Sequence, residues 1–174
     1  MDKDIVISLY KKQFNIICLY LVKCGCSISD AEDIVHDSFI KAIEYMDGVA
    51  IRNLSSWLFK VAINTYKNNL KRGKIINSIS IDEENFYEQL VHDLTVEDEI
   101  LNKENGGEVR EVLNSLKEEY RSLLIFKYEM KLSYKEIGLL LGINESTVKT
   151  YLYRARNKFK EEWGKRYERY RRYV

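Results

Sequence analysis

The sequence predicts an all-α protein: two small helical domains joined by an acidic linker. Three observations carry that prediction. Proline is absent from all 174 residues and glycine occurs only eight times, which suits long uninterrupted helices. Apolar residues recur at gaps of three and four. Ser-x-x-Glu appears twice just ahead of an apolar run, the mark of a capped helix start. The chain is 45% hydrophobic, enough for a packed core rather than a disordered chain. No uninterrupted apolar run approaches the roughly 18 residues of a membrane span. Met1–Leu9 lacks the basic and apolar segments of a signal peptide. Direct membrane insertion is therefore not expected.

Charge divides the chain. The totals are 28 basic and 27 acidic residues, net +1. A neutral sum would argue against a nucleic-acid partner, but the distribution does not. Residues 1–75 carry +3, residues 76–107 carry −8 and residues 108–174 carry +6. The middle block has weak periodicity and ends in Asn105-Gly106-Gly107. It reads as a linker with one short helix around Val96–Leu101.

The first helix, about Asp4 to Lys23, is apolar over much of its circumference and should be buried. The second opens with Ser29 and Glu32 as a capping box. Ala31, Ile34, Val35, Ser38, Ala42 and Tyr45 share its core arc. Asp33, His36, Asp37, Ile40 and Glu44 lie opposite. That face is either solvated, with one stray isoleucine, or a docking face for a basic partner helix. The third helix spans about Asn53 to Arg72, with Leu54, Leu58, Val61, Ala62, Thr65 and Asn69 inward. Trp57, Lys60, Asn64, Lys67, Asn68 and Lys71 form a separate stripe. Lysines neutralise phosphates, amides pair with base edges and an indole stacks on an unpaired base. The stripe as a whole points to nucleic acid, although Trp57 alone would pass for a core residue.

The last block is the most informative. Ser133 and Glu136 cap a short helix with Tyr134, Ile137, Leu140 and Leu141 inside. Gly142 stops it, and Asn144 caps the next. Val148, Leu152, Ala155 and Phe159 then recur at gaps of four, three and four. Two short helices about a glycine turn make a helix-turn-helix. The outward arc is Ser146, Thr150, Tyr153 and Asn157, flanked by Lys149 and Arg154. Hydroxyls, an amide and cations at such a helix start suit major-groove contact. From Lys149 to Val174 there are ten basic and three acidic residues, with Trp163, Tyr167, Tyr170 and Tyr173 interleaved. These aromatics suit base and phosphate contact or a helical extension packed on its own domain.

Enzyme chemistry has no support in the sequence. His36 and His92 sit in unrelated contexts, and there is no phosphate loop, metal set or nucleophile–base pair. Three cysteines, Cys18, Cys24 and Cys26, fit a reducing cytosol. Cys24-Gly-Cys26 lacks a fourth ligand and zinc-finger spacing, so reduced thiols near a helix end are expected. No cofactor is expected.

These segments, in this order, resemble the extracytoplasmic-function (group 4) sigma factors of the bacterial sigma-70 family. The similarity runs through Asp30–Ala42, Leu54–Asn64, Leu116–Arg121, Leu132–Lys149 and Tyr153–Arg156. It implies two helical domains, σ2 and σ4, that bind RNA polymerase core at the β′ clamp and β flap. It implies that σ2 opens the −10 promoter element and σ4 recognises the −35 element. Carried over by position, Asp33, His36, Asp37 and Ile40 would meet the β′ clamp. Met46 to Asn53 would form a loop capturing a flipped −10 base. Trp57, Lys60, Asn64 and Asn68 would hold the melted strand. Lys149, Thr150, Tyr153 and Arg154 would contact −35 DNA, with Ser146 and Thr147 on phosphate. The resemblance also implies a cytoplasmic factor held by an anti-sigma partner. The chain departs from the family's usual pattern in its missing prolines (Lys117 fills one such place), in Asn68 for Asp and in Gly138 for Ala. Two rivals use less of the sequence. A stand-alone helix-turn-helix regulator leaves the Asp33 and Trp57 faces idle, and an adaptor that binds no DNA leaves the Arg154 arc idle.

Overall fold

The computed structural model describes residues 3–45, 53–73, 79–93 and 109–171. The side chains of Lys3, Val91 and residues 167–171 are left aside. Among the described residues every regular element is helical. The chain divides into two compact units. One holds residues 1–80 with 138–144, and the other holds residues 81–137 with 145–174.

In the first unit α1 (Lys3–Lys23), α2 (Ile28–Tyr45) and α3 (Leu54–Lys71) pack on one another. By length and average composition α1 is apolar enough to cross a membrane, although Lys11 and Lys12 interrupt its apolar run. Val6, Ile17, Tyr20 and Leu21 are nonetheless buried, which makes α1 a core helix of this unit. Its burial is one-sided, because Ile5, Ile7 and Leu19 are exposed. Gln13 is buried too, and its amide donates to the Ser55 hydroxyl of α3.

The start of α2 differs from the expected one. Ser27, not Ser29, is the cap. Its Oγ accepts from Asp30 N at 3.0 Å and donates to Asp30 Oδ2 at 2.6 Å. Asp30 thus takes the part assigned to Glu32, and the helix starts two residues earlier. The core arc is Ala31, Ile34, Val35, Ser38, Phe39 and Ala42. Phe39 replaces Tyr45, which is 59% exposed. At the head of α3, Asn53 accepts from Ser56 N at 3.1 Å. Leu54, Ser55, Leu58, Phe59, Ala62, Ile63 and Tyr66 face inward, whereas Val61, Thr65 and Asn69 are only half-buried.

The second unit holds α4 (Glu83–Asp93), α5 (Val109–Ser115), α6 (Glu118–Leu124) and a π-helical segment, Ile125–Glu129, that continues α6. Then come α7 (Tyr134–Leu141), which runs across the division, and α8 (Glu145–Arg171). The sequence predicts a linker where α4 stands. Its apolar residues are few but well placed. Phe86, Tyr87 and Leu90 fall on one side and are buried, and Asp82 Oδ1 caps the helix from Asn85 N at 3.1 Å. The helix expected at Val96–Leu101 lies outside the described residues. The α7 capping box is as expected. Glu136 N donates to Ser133 Oγ at 3.2 Å and Ser133 N donates to Glu136 Oε2 at 2.7 Å. The Ser133 N–H and then the Ser133 hydroxyl, both donating to Glu136 Oε2, hold that carboxyl below its usual range. Gly142 ends α7 at φ +70°, a backbone conformation that side chains with a Cβ disfavour.

Candidate nucleic-acid interface

Each helix carries its candidate side chains on the face its core residues leave free. On α8, Val148, Leu152, Ala155 and Phe159 are fully buried, as their spacing predicts. That fixes the rotation of the helix. Ser146, Lys149, Thr150, Tyr153, Arg154 and Asn157 are consequently exposed together, within an arc of about 140°. Thr147 is half-buried at its edge. Tyr153 is 61% exposed, so its ring and hydroxyl are both open to a ligand. Thr150 Oγ1 donates to Ser146 O at 3.1 Å, leaving its lone pairs outward. Lys149 and Lys127 both lie over the Tyr134 ring, at 5.4 and 4.5 Å. Arg154 stands over Tyr151 at 5.9 Å. The ring faces orient these cations without neutralising them.

Farther along α8, Trp163 is 1% exposed and stacks on Phe159 at 5.7 Å. Of the two roles open to it, packing on its own domain is the observed one. The neighbouring tail tyrosines, from Tyr167 on, lie outside the described side chains. Lys158, Glu161, Glu162 and Lys165 form a surface ladder. Within it the lysines pull the Glu161 carboxyl down to about 2, and the glutamates push the Lys165 ammonium up to about 12.

On α3, Lys60, Asn64, Asn68 and Lys71 are exposed, and Trp57 and Lys67 are half-buried. Tyr45 of α2 lies 6.2 Å from the Trp57 ring. Sequence periodicity predicts Tyr45 in the core and so does not reveal this aromatic pair. The signal was available, since Tyr45 sits in the last turn of its helix, where burial is least secure. Asn53 spends its side-chain oxygen on the helix cap. The rest of the expected base-capturing loop, 46–52, lies outside the described residues.

On α2, Asp33, His36, Asp37, Ile40 and Glu44 are all exposed, Ile40 at 53%. The face is not made by α2 alone. His36 Nε2 pairs with Tyr10 OH at 2.6 Å, and its ring packs 4.7 Å from Phe14. Reading one helix at a time could not find Tyr10 and Phe14, because they reach this face from α1.

The cysteines are free thiols. Burial, the largest cause, raises both Cys18 and Cys26 to about 11, helped by Glu32 and Asp30 respectively. Among the described residues no group of three or more His, Cys, Asp and Glu could hold a metal ion.

Comparison with known proteins covers both units. Residues 7–75 match sigma-70 region 2 and residues 106–159 match sigma-70, region 4. The chain is 30% identical over 162 residues to the ECF RNA polymerase sigma-E factor of Salmonella typhimurium, covering 84% of each. It is 28% identical over 166 residues to the ECF RNA polymerase sigma factor SigW of Bacillus subtilis, covering 90% of this chain and 86% of the relative. It is 29% identical over 167 residues to the RNA polymerase sigma factor YlaC of the same organism, covering 94% of each. The exposed faces of α2 and α3 fall within the first matched region and that of α8 within the second, and the chain belongs to the extracytoplasmic-function sigma factors of the sigma-70 family.

Proposed function

We propose how this sigma factor divides its work among its faces. As a sigma factor it binds RNA polymerase core and DNA for transcription initiation, a non-catalytic role. In this proposal the first domain, residues 1–75, docks on the β′ clamp through Asp33, His36, Asp37 and Ile40. Acidic groups around one exposed isoleucine suit a basic, partly apolar partner helix. Lys60, Asn64 and Asn68 hold the opened −10 strand, and Trp57 beside Tyr45 supplies a stacking surface. Flipping a base costs a few kcal/mol of unstacking, which such a surface offsets. The second domain, residues 108–174, meets the β flap and lays the start of α8 in the major groove of the −35 element. Lys149, Thr150, Tyr153 and Arg154 contact the DNA there, with Ser146 and Thr147 on phosphate. Asn53 contributes as the cap that fixes the start of α3. An anti-sigma partner and a cytoplasmic location complete the proposal, as the family is generally cytoplasmic.

The observation that carries it is the α8 arc, a polar and basic surface fixed outward by four fully buried side chains on the same helix. Run-off transcription with core polymerase on a promoter library tests it. Transcripts should depend on two spaced elements. Tight promoter binding without core, together with no binding to core, would sink the proposal.

A further inference from the structure

Residues 76–105 and 160–174 lie outside both family matches, yet the structure packs parts of them on each other. Tyr87 of α4 lies 5.3 Å from Trp163 of α8, and Phe86 lies 5.8 Å from Tyr128 and 6.4 Å from Phe159. Both ends of α4 are tied as well. Arg110 Nη2 stands 3.3 Å from Glu83 Oε1, and Asp82 N donates to Glu129 Oε2 at 3.3 Å. At the other end Tyr128 OH donates to Asp93 Oδ2 at 2.9 Å and accepts from Arg156 Nη1 at 3.0 Å. Tyr128 is 2% exposed, and burial raises its hydroxyl well above the ordinary range. The hydroxyl is therefore a neutral bridge between a carboxylate and a guanidinium, and removing it breaks the link that runs from α4 through the π-helical segment to α8. Arg156 lies two residues beyond Arg154 on the same helix. On the far side of Trp163, Arg166 pairs with Glu111 of α5.

We propose that α4 is a positioning clasp for the recognition helix. It is carried on the stretch between the two domains and holds α8 at Arg156, Phe159 and Trp163, and so sets the register of Lys149–Arg154 on DNA. Tyr128, Asp93 and Arg156 are its positioning residues. They touch no DNA themselves. The proposal rests on the assignment of α8 to the −35 element.

The test uses the full chain with core polymerase and two promoters, one complete and one with its −35 element scrambled. Tyr128→Phe keeps the ring and deletes the bridge. It should lower transcription from the complete promoter about two- to tenfold. It should leave the scrambled promoter and core affinity unchanged. Asp93→Asn, which still accepts the hydroxyl, should recover most of the output lost in Asp93→Ala. A merely structural role would lower thermal stability without changing the ratio between the two promoters. Hydrogen exchange adds a second readout. The amides of Phe86–Leu90 should be as protected in the promoter-bound holoenzyme as in the free protein. Loss of that protection during normal transcription would overturn the clasp, as would wild-type promoter ratios in both Tyr128→Phe and Asp93→Ala. A wild-type chain that never binds core would instead overturn the functional proposal beneath it.

Discussion

The two helices assigned to DNA, α3 and α8, differ in how firmly their own sequences orient them. On α8 one apolar stripe stands among polar residues, and every expected core position is fully buried. On α3 apolar residues occupy two adjoining arcs, Leu54-Leu58-Val61-Ala62 and Phe59-Ile63-Tyr66. Two candidate stripes leave the rotation undecided until neighbours choose it. Both α1 and α2 pack on α3, and together they bury Phe59, Ile63 and Tyr66 at the expense of Val61. A stripe of one width fixes a face, and a broader one only limits it.

The largest expected effects test that contrast directly. Trp163→Ala and Phe59→Ala each remove a buried aromatic ring and should cost about 3–5 kcal/mol in thermal or urea unfolding. Val61→Ala, half-buried, should cost under about 1 kcal/mol. If Val61→Ala costs more than Phe59→Ala, the rotation described for α3 is wrong. Next comes function. Arg154→Ala should lose about 1–3 kcal/mol of promoter discrimination, read as run-off transcription, with core affinity intact. An unchanged promoter output would break the assignment of α8 to DNA.

A smaller effect is expected at the turn between α7 and α8. Gly142→Ala places a Cβ at φ +70° and should destabilise the protein by more than about 1 kcal/mol, measured by denaturant midpoint. The smallest concerns acid. Glu136 titrates below its usual range in the folded protein. Its contribution is therefore present above the unfolded carboxylate value and lost as pH falls through the folded one. Glu136→Gln keeps the cap geometry. It should cost about 0.3–1 kcal/mol at neutral pH and converge with wild type in acid. Parallel stability curves down the acid limb would rule out a role for the charge.

The acidic middle block took on a sharper meaning in three dimensions. Its −8 charge looked like a property of one linker. Of its nine acids, Asp82, Glu83 and Asp93 all make contacts within the second unit, to Asn85 N, to Arg110 and to Tyr128. Neutralising all nine would loosen that unit as well as change any repulsion of DNA. Glu97, Asp98, Glu99 and Glu104 are the proper variants for asking whether the acidic charge of this stretch lowers DNA binding by the free protein.

Where a helix carries its own instructions, sequence sufficed. Ser133 and Glu136 cap α7, and Val148 to Phe159 set the face of α8, because these interactions lie within four residues of one another. The all-helical class follows from the same local rules. What the sequence left open needed a second element. Tyr10 and Phe14 join His36 from another helix. Phe39 displaces Tyr45 because the bundle, not the periodicity, decides how far the core extends. The α4 helix is the clearest case. A few apolar residues in an acidic stretch cannot hold a helix of 11 residues alone. They do so here because Tyr128, Phe159 and Trp163 offer an apolar surface that exists only once the second unit has folded.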